Sequence, residues 1–167
     1  MKLKVLKFST LKSTNDKAIE LIRKNNSSPK LIVSTKQTNG KGTMGKKWVS
    51  QKGNLFISIF FPTKIKPEKI SILNPYIIRN ILNNYCENKI KIKWPNDLLI
   101  GGKKLCGILQ EVIEFESKSF LVIGIGINTM NAPINKKFNA VALSSFSNKK
   151  VINREILENI KLSYEKF

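Results

Sequence analysis

The chain has 167 residues, with 30 lysines and arginines against 11 aspartates and glutamates, for a formal net charge of +19. This length supports one domain with its own hydrophobic core. Two cysteines exclude a disulfide-built fold and favour a reducing, cytoplasmic setting. The chain has no histidine, so imidazole is unavailable as a base or metal ligand. No signal-peptide core or transmembrane-length apolar run occurs, so no membrane association is expected.

The positive charge permits a polyanionic partner, and a basic nucleic-acid-binding protein is one interpretation of it. The lysines, however, are spread over nearly every segment rather than gathered in one run. The abundance of Lys, Ile and Asn is also what AT-rich codons produce. We therefore interpret most of the charge as compositional drift, which would still favour anionic ligands.

The first part of the chain predicts short strands around one helix. Residues 2–8 alternate apolar residues with lysines, which is typical of an edge strand. Ser13, Thr14 and Asn15 open a helix with apolar residues at helical spacing, and N-capping is the simplest role for the two hydroxyls. A short apolar strand follows over residues 31–35.

A basic, glycine-rich loop follows that strand, over residues 37–48 (QTNGKGTMGKKW). Its glycines allow close approach to a ligand. The segment GKGTMGK fits the first part of a phosphate-binding loop, but Lys47 stands where that loop needs Ser or Thr, and no helix pattern follows Trp48. A flexible basic surface loop is the alternative to a ligand-binding role.

The remaining chain predicts further strands and two helices by its apolar periodicity. Pro75 is expected to kink or interrupt the first of these helices. The predicted order is strand, helix, strand, hairpin, strand and amphipathic helix, over residues 54–61, 70–85, 90–94, 97–111, 120–127 and 153–167.

The hairpin lies within the stretch 93–111, KWPNDLLIGGKKLCGILQE, where a Gly-Gly pair between apolar runs predicts a two-residue turn. This turn would pair Leu99 with Lys104 and Asp97 with Cys106, so that the four side chains share one face. Asp97 and Lys104 would then be diagonal neighbours, within reach of each other or of one ligand. A weak surface ion pair is the alternative.

Four motifs occur in one chain: STN at 13–15, the loop 40–48, KWPND with a lysine seven residues after its aspartate, and GIGIN at 124–128. In this order and spacing they resemble the biotin–protein ligase (holocarboxylase synthetase) family, from about residue 8 to the end of the chain. The resemblance implies an enzyme that joins biotin to AMP and transfers it to a carrier-protein lysine. It implies ATP and biotin as substrates, Mg²⁺ on the phosphates, and the biotin carboxyl carrier protein or domain of a biotin-dependent carboxylase as partner.

The same resemblance assigns residues to roles. Lys104 and Asp97 become the catalytic pair, and no protein-held metal is expected. The implied biotin site comprises Ser13, Thr14, Asn15, Gln37, Gly40, Lys41, Gly42, Thr43, Trp48 and Gly107. The implied nucleotide contacts come from Lys41, Lys46, Lys47, Trp48, Asn96, Lys104 and Asn128.

One position departs from the family, which usually reads Gly-Arg-Gly where this chain reads Gly-Lys-Gly. Lys41 keeps the charge but loses the bidentate fork of an arginine. We therefore expect retained chemistry with a looser hold on the adenylate.

Strands outnumber helices, and the central pair is a hairpin, which predicts an α+β fold: a mixed, largely antiparallel sheet with helices packed on one face. This fits the fold that the family shares with class II aminoacyl-tRNA synthetases. Residues 1–167 are expected to form a single catalytic domain, without the N-terminal DNA-binding domain or C-terminal β-barrel of longer ligases. DNA binding is not expected, and a homodimer is a candidate assembly. A lipoate–protein ligase is the alternative enzyme, against which KWPND and its following lysine argue.

Overall fold

A computed structural model of the chain describes residues 1–64, 67–87, 89–134 and 139–166. Within these residues seven strands form one sheet, in the order β1-β2-β3-β7-β6-β5-β4. The strands are β1 (Lys4–Phe8), β2 (Lys30–Ser34), β3 (Leu55–Pro62), β4 (Lys91–Lys93), β5 (Asp97–Ile100), β6 (Lys103–Phe115) and β7 (Lys118–Ile127). The α-helices are α1 (Thr14–Arg23), α2 (Pro67–Asn83) and α3 (Asn153–Glu165).

The sheet is mixed and largely antiparallel, as predicted. Among the seven described strands, only β1 and β2 pair in parallel, with α1 as the connection between them. The other neighbours pair antiparallel. The predicted edge strand, β1, lies at one edge, and the predicted C-terminal helix is α3, with residue 167 outside the described residues.

Helices cover both faces of the sheet. Side chains alternate along a strand, so Ile59 and Phe60 of β3 point to opposite faces. Ile59 joins the large core cluster that also includes Ile156 of α3 and residues of α2, whereas Phe60 packs with Ala18 of α1. The prediction placed all helices on one face of the sheet, whereas only α2 and α3 share a face among the described helices. α1 lies on the other face, because β2, β3 and β7 carry apolar residues on both faces.

Pro75 does not interrupt α2, which was one of the two effects that the sequence allowed for this proline. The helix begins at Pro67 and continues through Pro75 to Asn83. A proline inside a helix removes one backbone hydrogen bond. Packing offsets that loss here, since Ile78 and Leu82 are fully buried against the sheet.

A β-bulge corrects the predicted hairpin register. Leu99 pairs with Lys104 as expected, but the register shifts between Leu98 and Leu99, so Leu98 pairs with Cys106, and Asp97 pairs with Gly107. The extra residue turns Cys106 into the core instead of onto the face of Asp97. Burial raises the pKa of the Cys106 thiol, which excludes it as a nucleophile at neutral pH.

No helix in the described part of the chain combines the length and the apolar character that crossing a bilayer requires.

A buried hydrogen bond joins α3 to α2. Tyr164 donates from its hydroxyl to Asn74 Oδ1 at 2.8 Å, and Asn74 Nδ2 lies 2.5 Å from Gln110 Oε1 on β6. Burial raises the pKa of the Tyr164 phenol, which keeps it protonated as a donor.

The substitution Tyr164→Phe removes this donor, so the buried acceptor Asn74 Oδ1 loses its hydrogen bond from the Tyr164 hydroxyl. We expect the free energy of unfolding, measured in urea, to fall by about 1–3 kcal/mol. Tyr76→Phe is the matched control, because Tyr76 is 51% exposed and should change stability by less than about 0.5 kcal/mol. Equal effects of the two substitutions would show that the buried bond does not stabilise the fold.

Candidate active site

The start of α1 brings polar residues into the interior. Ser13, Thr14 and Asn15 are all buried. Ser13 caps the helix, since the backbone N–H of Asp16 donates to its Oγ at 3.4 Å. The Thr14 N–H donates to Gln37 Oε1 at 2.8 Å, and the Thr14 hydroxyl lies 3.1 Å from the same oxygen. Helix capping and a polar wall are therefore provided by the same short segment.

Asn15 packs directly onto the sheet. Its Nδ2 donates to Glu111 Oε2 at 2.7 Å, and its Oδ1 lies 2.5 Å from Ser58 Oγ. Gly124 lies beneath it, and a Cβ at that position would clash with the amide. Both ends of the Asn15 amide are engaged by protein groups, which fixes the orientation of this side chain in the site.

The loop over residues 40–48 forms a small hairpin. The N–H of Gly42 donates to Lys46 O at 2.7 Å, and the N–H of Trp48 donates to Gly40 O at 2.9 Å. Met44 at its tip is 92% exposed, so few apolar contacts hold the loop apart from those of Trp48.

Lys41, on one strand of this loop, forms an ion pair with Asp16 of α1. The hydrogen bond to Asp16 raises the pKa of the Lys41 ammonium, and burial acts against it. The pair anchors the loop to the first turn of the helix. A ligand anion near Lys41 would have to compete with Asp16 for its charge.

Trp48 lies flat on the sheet above two paired glycines. Gly107 of β6 and Gly126 of β7 are direct neighbours in the register. A Cβ at Gly126 would lie 2.5 Å from the indole, and one at Gly107 would lie 2.8 Å from it. The indole Nε1 is buried and donates to no described residue. The ring therefore has room on the sheet because Gly107 and Gly126 carry no side chains.

Lys104 lies beside this ring and carries a charge that the sheet holds in place. Its Nζ is 2.8 Å from Asp97 Oδ1 and 5.4 Å from the centre of the Trp48 ring. Its backbone N–H donates to Asn139 O at 2.8 Å, and its carbonyl accepts from Val141 at 3.0 Å. Strand β6 and the segment after residue 138 therefore fix the backbone of Lys104, and Asp97 holds its ammonium.

Two hollows meet at Trp48 and Lys104. The inner cavity, about 40 Å³, is lined by Ser13, Thr14, Asn15, Gln37, Lys41, Gly42, Thr43, Trp48, Ile57, Asn96, Lys104, Gly107, Ile108, Leu109, Gly124, Ile125 and Gly126. The outer cleft, about 450 Å³, is lined by Gly42, Thr43, Lys46, Lys47, Trp48, Val49, Lys93, Asp97, Leu99, Gly102, Lys104, Asn128, Pro133, Asn139 and Ala140. The inner cavity is polar at the α1 end, and the outer cleft is basic.

Asn128 presents an unused acceptor at the outer cleft. Its Nδ2 donates to Lys104 O at 3.3 Å, and its backbone bonds to Leu105 and Leu143 fix the residue in place. Its Oδ1 is buried and accepts from no described residue. A buried polar atom without a partner costs about 1–3 kcal/mol, so a ligand donor would be favoured there.

The structure divides the sequence-predicted residues between the two hollows. Lys46, Lys47, Asp97 and Asn128 line the outer cleft, whereas Asn96, expected at the nucleotide, lines the inner cavity and bonds to Ile108 O at 3.3 Å. Gly40 lines neither hollow; a Cβ there would lie 2.7 Å from Trp48 O, so it allows the loop to close. The other predicted residues line the inner cavity: Ser13, Thr14, Asn15, Gln37, Lys41, Gly42, Thr43, Trp48, Lys104 and Gly107.

Some members of the site carry no clear signal in the sequence. Ser58 is fully buried and contacts Thr14, and the available signal was a single hydroxyl within an apolar strand. Glu111 was identified as the end of a strand, and no local pattern showed that it meets Asn15. Lys93 of the KWPND motif lines the outer cleft as well.

Comparison with known proteins gives a consistent result. Residues 7–128 match the family described as the biotin/lipoate A/B protein ligase family. A relative from Bacillus subtilis strain 168, named bifunctional ligase/repressor BirA, is 34% identical over 165 residues, which cover 93% of this chain and 51% of the relative. The chain thus spans about half the length of this relative.

Solved structures agree in fold. A biotin protein ligase from Aquifex aeolicus in complex with biotin and ATP superimposes with a TM-score of 0.79 at 27% identity, covering 98% of this chain and 69% of that one. A biotin protein ligase from Leishmania major in complex with biotinyl-5-AMP gives 0.80 at 24% identity, covering 94% and 71%, a likeness that bears on the fold alone. The α+β fold predicted from the sequence is confirmed. With the match over residues 7–128, the chain belongs to the biotin/lipoate A/B protein ligase family.

Proposed function

We propose that the chain catalyses the ATP-dependent attachment of biotin to a lysine of a carrier protein, through a biotinyl-AMP intermediate. The observation that carries the proposal is the position of Lys104, which lines both hollows where they meet. A carboxylate extending from the inner cavity and an α-phosphate in the outer cleft would approach each other beside its ammonium. The similar solved structure from Aquifex aeolicus, a biotin protein ligase in complex with biotin and ATP, supports the same chemistry.

The inner cavity suits the ring system of biotin. Its lining includes the hydroxyls of Ser13 and Thr14 and the amide of Gln37, together with the apolar side chains of Ile57 and Ile108. A ureido group has both N–H donors and a carbonyl acceptor to match those polar groups. The dithiolane ring of lipoate, the alternative substrate, has neither, so it would leave these groups unpaired at a cost of about 1–3 kcal/mol for each.

Biotin needs more room than the inner cavity provides. Ligand sites for small molecules measure roughly 300–1,000 Å³, whereas this cavity is about 40 Å³ with the Trp48 ring seated over Gly126. Entry of biotin therefore requires the indole and its loop to move. The loop is suited to this, because its tip is exposed and its hairpin is small.

The outer cleft suits ATP. Lys46, Lys47, Lys93 and Lys104 give it positive charge for a triphosphate. Two polar atoms there have no partner among the described residues, the acceptor Asn128 Oδ1 and the donor Trp48 Nε1. The amino group of adenine would fit the first, and a phosphate or carboxylate oxygen would fit the second. Buried unsatisfied groups of this kind call for such an explanation.

Mg²⁺ fits this cleft as a companion of the triphosphate. It keeps several waters and needs only one or two protein carboxylates beside substrate phosphates. Asp97 is the carboxylate among the residues that line the cleft, and no described group of three metal-binding side chains forms a protein-held site. The ion would supply charge neutralisation on the phosphates when bound.

In the first step, a carboxylate oxygen of biotin attacks the α-phosphate of ATP, the bond to the β-phosphate breaks, and pyrophosphate leaves. Two anions must approach, so a fixed positive charge stabilises the transition state more than the ground state. Lys104 supplies that charge. Its ion pair with Asp97 and the hydrogen bonds of its backbone hold it beside the point where the two hollows meet.

In the second step, the amine of a carrier lysine attacks the acyl carbon of biotinyl-AMP, and AMP leaves. The attacking amine must lose a proton. Asp97 is 18% exposed and lines the outer cleft, so it can orient the amine or accept its proton. An acidic carrier surface would be attracted by the net charge of +19.

We predict that Lys104→Ala lowers biotin-dependent ATP–pyrophosphate exchange by about 10²–10³-fold, the typical effect of removing one preorganised donor. Lys103→Ala is the matched control, because Lys103 is the exposed neighbour in the same strand and lines neither hollow. Thermal unfolding of both variants should match that of the wild-type protein. Near-normal exchange by Lys104→Ala would remove Lys104 from the reaction.

We also predict that biotin with ATP protects the loop over residues 40–48 from a lysine-specific protease. Cleavage after Lys41, Lys46 or Lys47 requires the loop to open, and ligand at a hundred times its Kd should slow this by roughly a hundredfold. Cleavage after the exposed Lys24 serves as the internal reference. A loop cleaved equally fast with and without both ligands would show that it does not close over the site.

Transfer to the carrier should depend on salt more steeply than adenylate formation does. Carrier docking relies on exposed charge, which salt screens over about 8 Å at physiological ionic strength, whereas Lys104 acts at contact distance. Pyrophosphate exchange and carrier biotinylation should be measured on one preparation across a salt series. Parallel decline of the two activities would contradict charge-driven docking.

A further inference from the structure

We propose that Glu111, acting through Asn15 and Ser58, fixes the Thr14 hydroxyl as a hydrogen-bond acceptor toward the inner cavity, so that the site selects a ligand with an N–H at that point. The inference rests on the proposed function and identifies the positioning residue behind its specificity. Glu111 touches no reacting atom in this scheme.

The first link is the contact between Glu111 and Asn15. A carboxylate can only accept hydrogen bonds. Glu111 Oε2 lies 2.7 Å from the Asn15 amide, so the nitrogen end of that amide faces Glu111. The carbonyl oxygen of Asn15 must then face the opposite way, where it lies 2.5 Å from Ser58 Oγ.

The second link is Ser58, which has one hydrogen and two close neighbours. Its Oγ lies 2.5 Å from Asn15 Oδ1 and 2.8 Å from Thr14 Oγ1. A carbonyl oxygen has no hydrogen to give, so Ser58 must donate to Asn15. The contact between the hydroxyls of Ser58 and Thr14 then needs its hydrogen from Thr14.

The last link is the Thr14 hydroxyl. Gln37 Oε1 lies farther from it, at 3.1 Å, and already accepts the Thr14 N–H at 2.8 Å. The hydrogen of Thr14 is therefore better placed on Ser58. Its oxygen lone pairs remain, and within the described residues no further donor reaches them. Since Thr14 lines the inner cavity, those lone pairs face the ligand.

Ser13 supplies the complementary group. Its Oγ accepts from the Asp16 N–H at 3.4 Å, which leaves its own hydrogen available to a ligand. Neighbouring residues thus present one acceptor and one donor to the same cavity. A cyclic urea has an N–H next to a C=O and matches this order, whereas a cyclic carbamate with oxygen in place of that N–H would place two acceptors together at Thr14.

The test uses Glu111→Gln, which changes one atom of the side chain and removes the acceptor-only constraint. The introduced amide can donate to Asn15, whose own amide can then turn and donate to Ser58, so the direction of the chain is no longer fixed. Glu111→Gln combined with Asn15→Asp restores it. The introduced carboxylate accepts from the introduced amide on one side and from Ser58 on the other.

Calorimetry should give the Kd of each protein for biotin and for the two cyclic carbamate isomers in which one ureido N–H is replaced by oxygen. We expect the wild-type protein to prefer biotin over at least one isomer by roughly 10–100-fold. Glu111→Gln should reduce that ratio by about tenfold. The double variant should return to within about threefold of the wild-type ratio.

The outcomes separate the two proposals. If biotin binds the wild-type protein but Glu111→Gln weakens all ligands equally, the ratio stays constant and Glu111 has only a structural role, which overturns this inference and leaves the proposed function intact. A double variant that keeps the reduced ratio would also overturn it. A wild-type protein that binds no biotin would overturn the proposed function itself.

Discussion

The site depends on the packing of two side chains directly onto the backbone of the sheet. Asn15 lies over Gly124, and Trp48 lies over Gly107 and Gly126. Any side chain at these glycines would occupy the space that now holds an amide or an indole. On the rest of this face, residues such as Phe120 and Val122 fill the equivalent positions and pack against α1. The hollow between α1 and the loop is thus a consequence of three missing side chains.

The two side chains that meet in the site, Lys104 and Trp48, are held by different kinds of contact. Lys104 is held by β6, by Asn139 and by its ion pair with Asp97. Trp48 is held mainly by shape, since its Nε1 has no partner among the described residues and its loop ends in an exposed tip. In the proposed reaction, the charge that must be preorganised is therefore carried by a strand, and the cover that must move is a loop.

The sequence predicted the sheet and its hairpin from local signals, which are apolar periodicity and a Gly-Gly turn. The short motifs that carry the family resemblance also pointed to many of the residues that line the two hollows. The bulge between Leu98 and Leu99 was not predicted, because the apolar pattern of the two strands is compatible with the register on either side of one extra residue. The continuous α2 through Pro75 and the placement of α1 on the second face are tertiary effects, decided by what the strands bury.

Contacts between distant residues explain the other omissions. Glu111 and Asn15 are 96 positions apart, and Ser58 and Thr14 are 44 apart, so no spacing rule joins them. The same holds for the orphan acceptor of Asn128, which is defined only by what surrounds it. A motif gives the residue type at such a position, and the fold decides whether it meets ligand or protein.

The central claim is that the two hollows hold one molecule, made where they meet at Lys104. Its most direct test is to incubate the wild-type chain with biotin and ATP, separate the protein from free ligand, and identify the retained small molecule by mass spectrometry. The account predicts biotinyl-AMP, formed only when both substrates are present, and absent from Lys104→Ala. Recovery of unreacted biotin and ATP alone from the wild-type protein would contradict it.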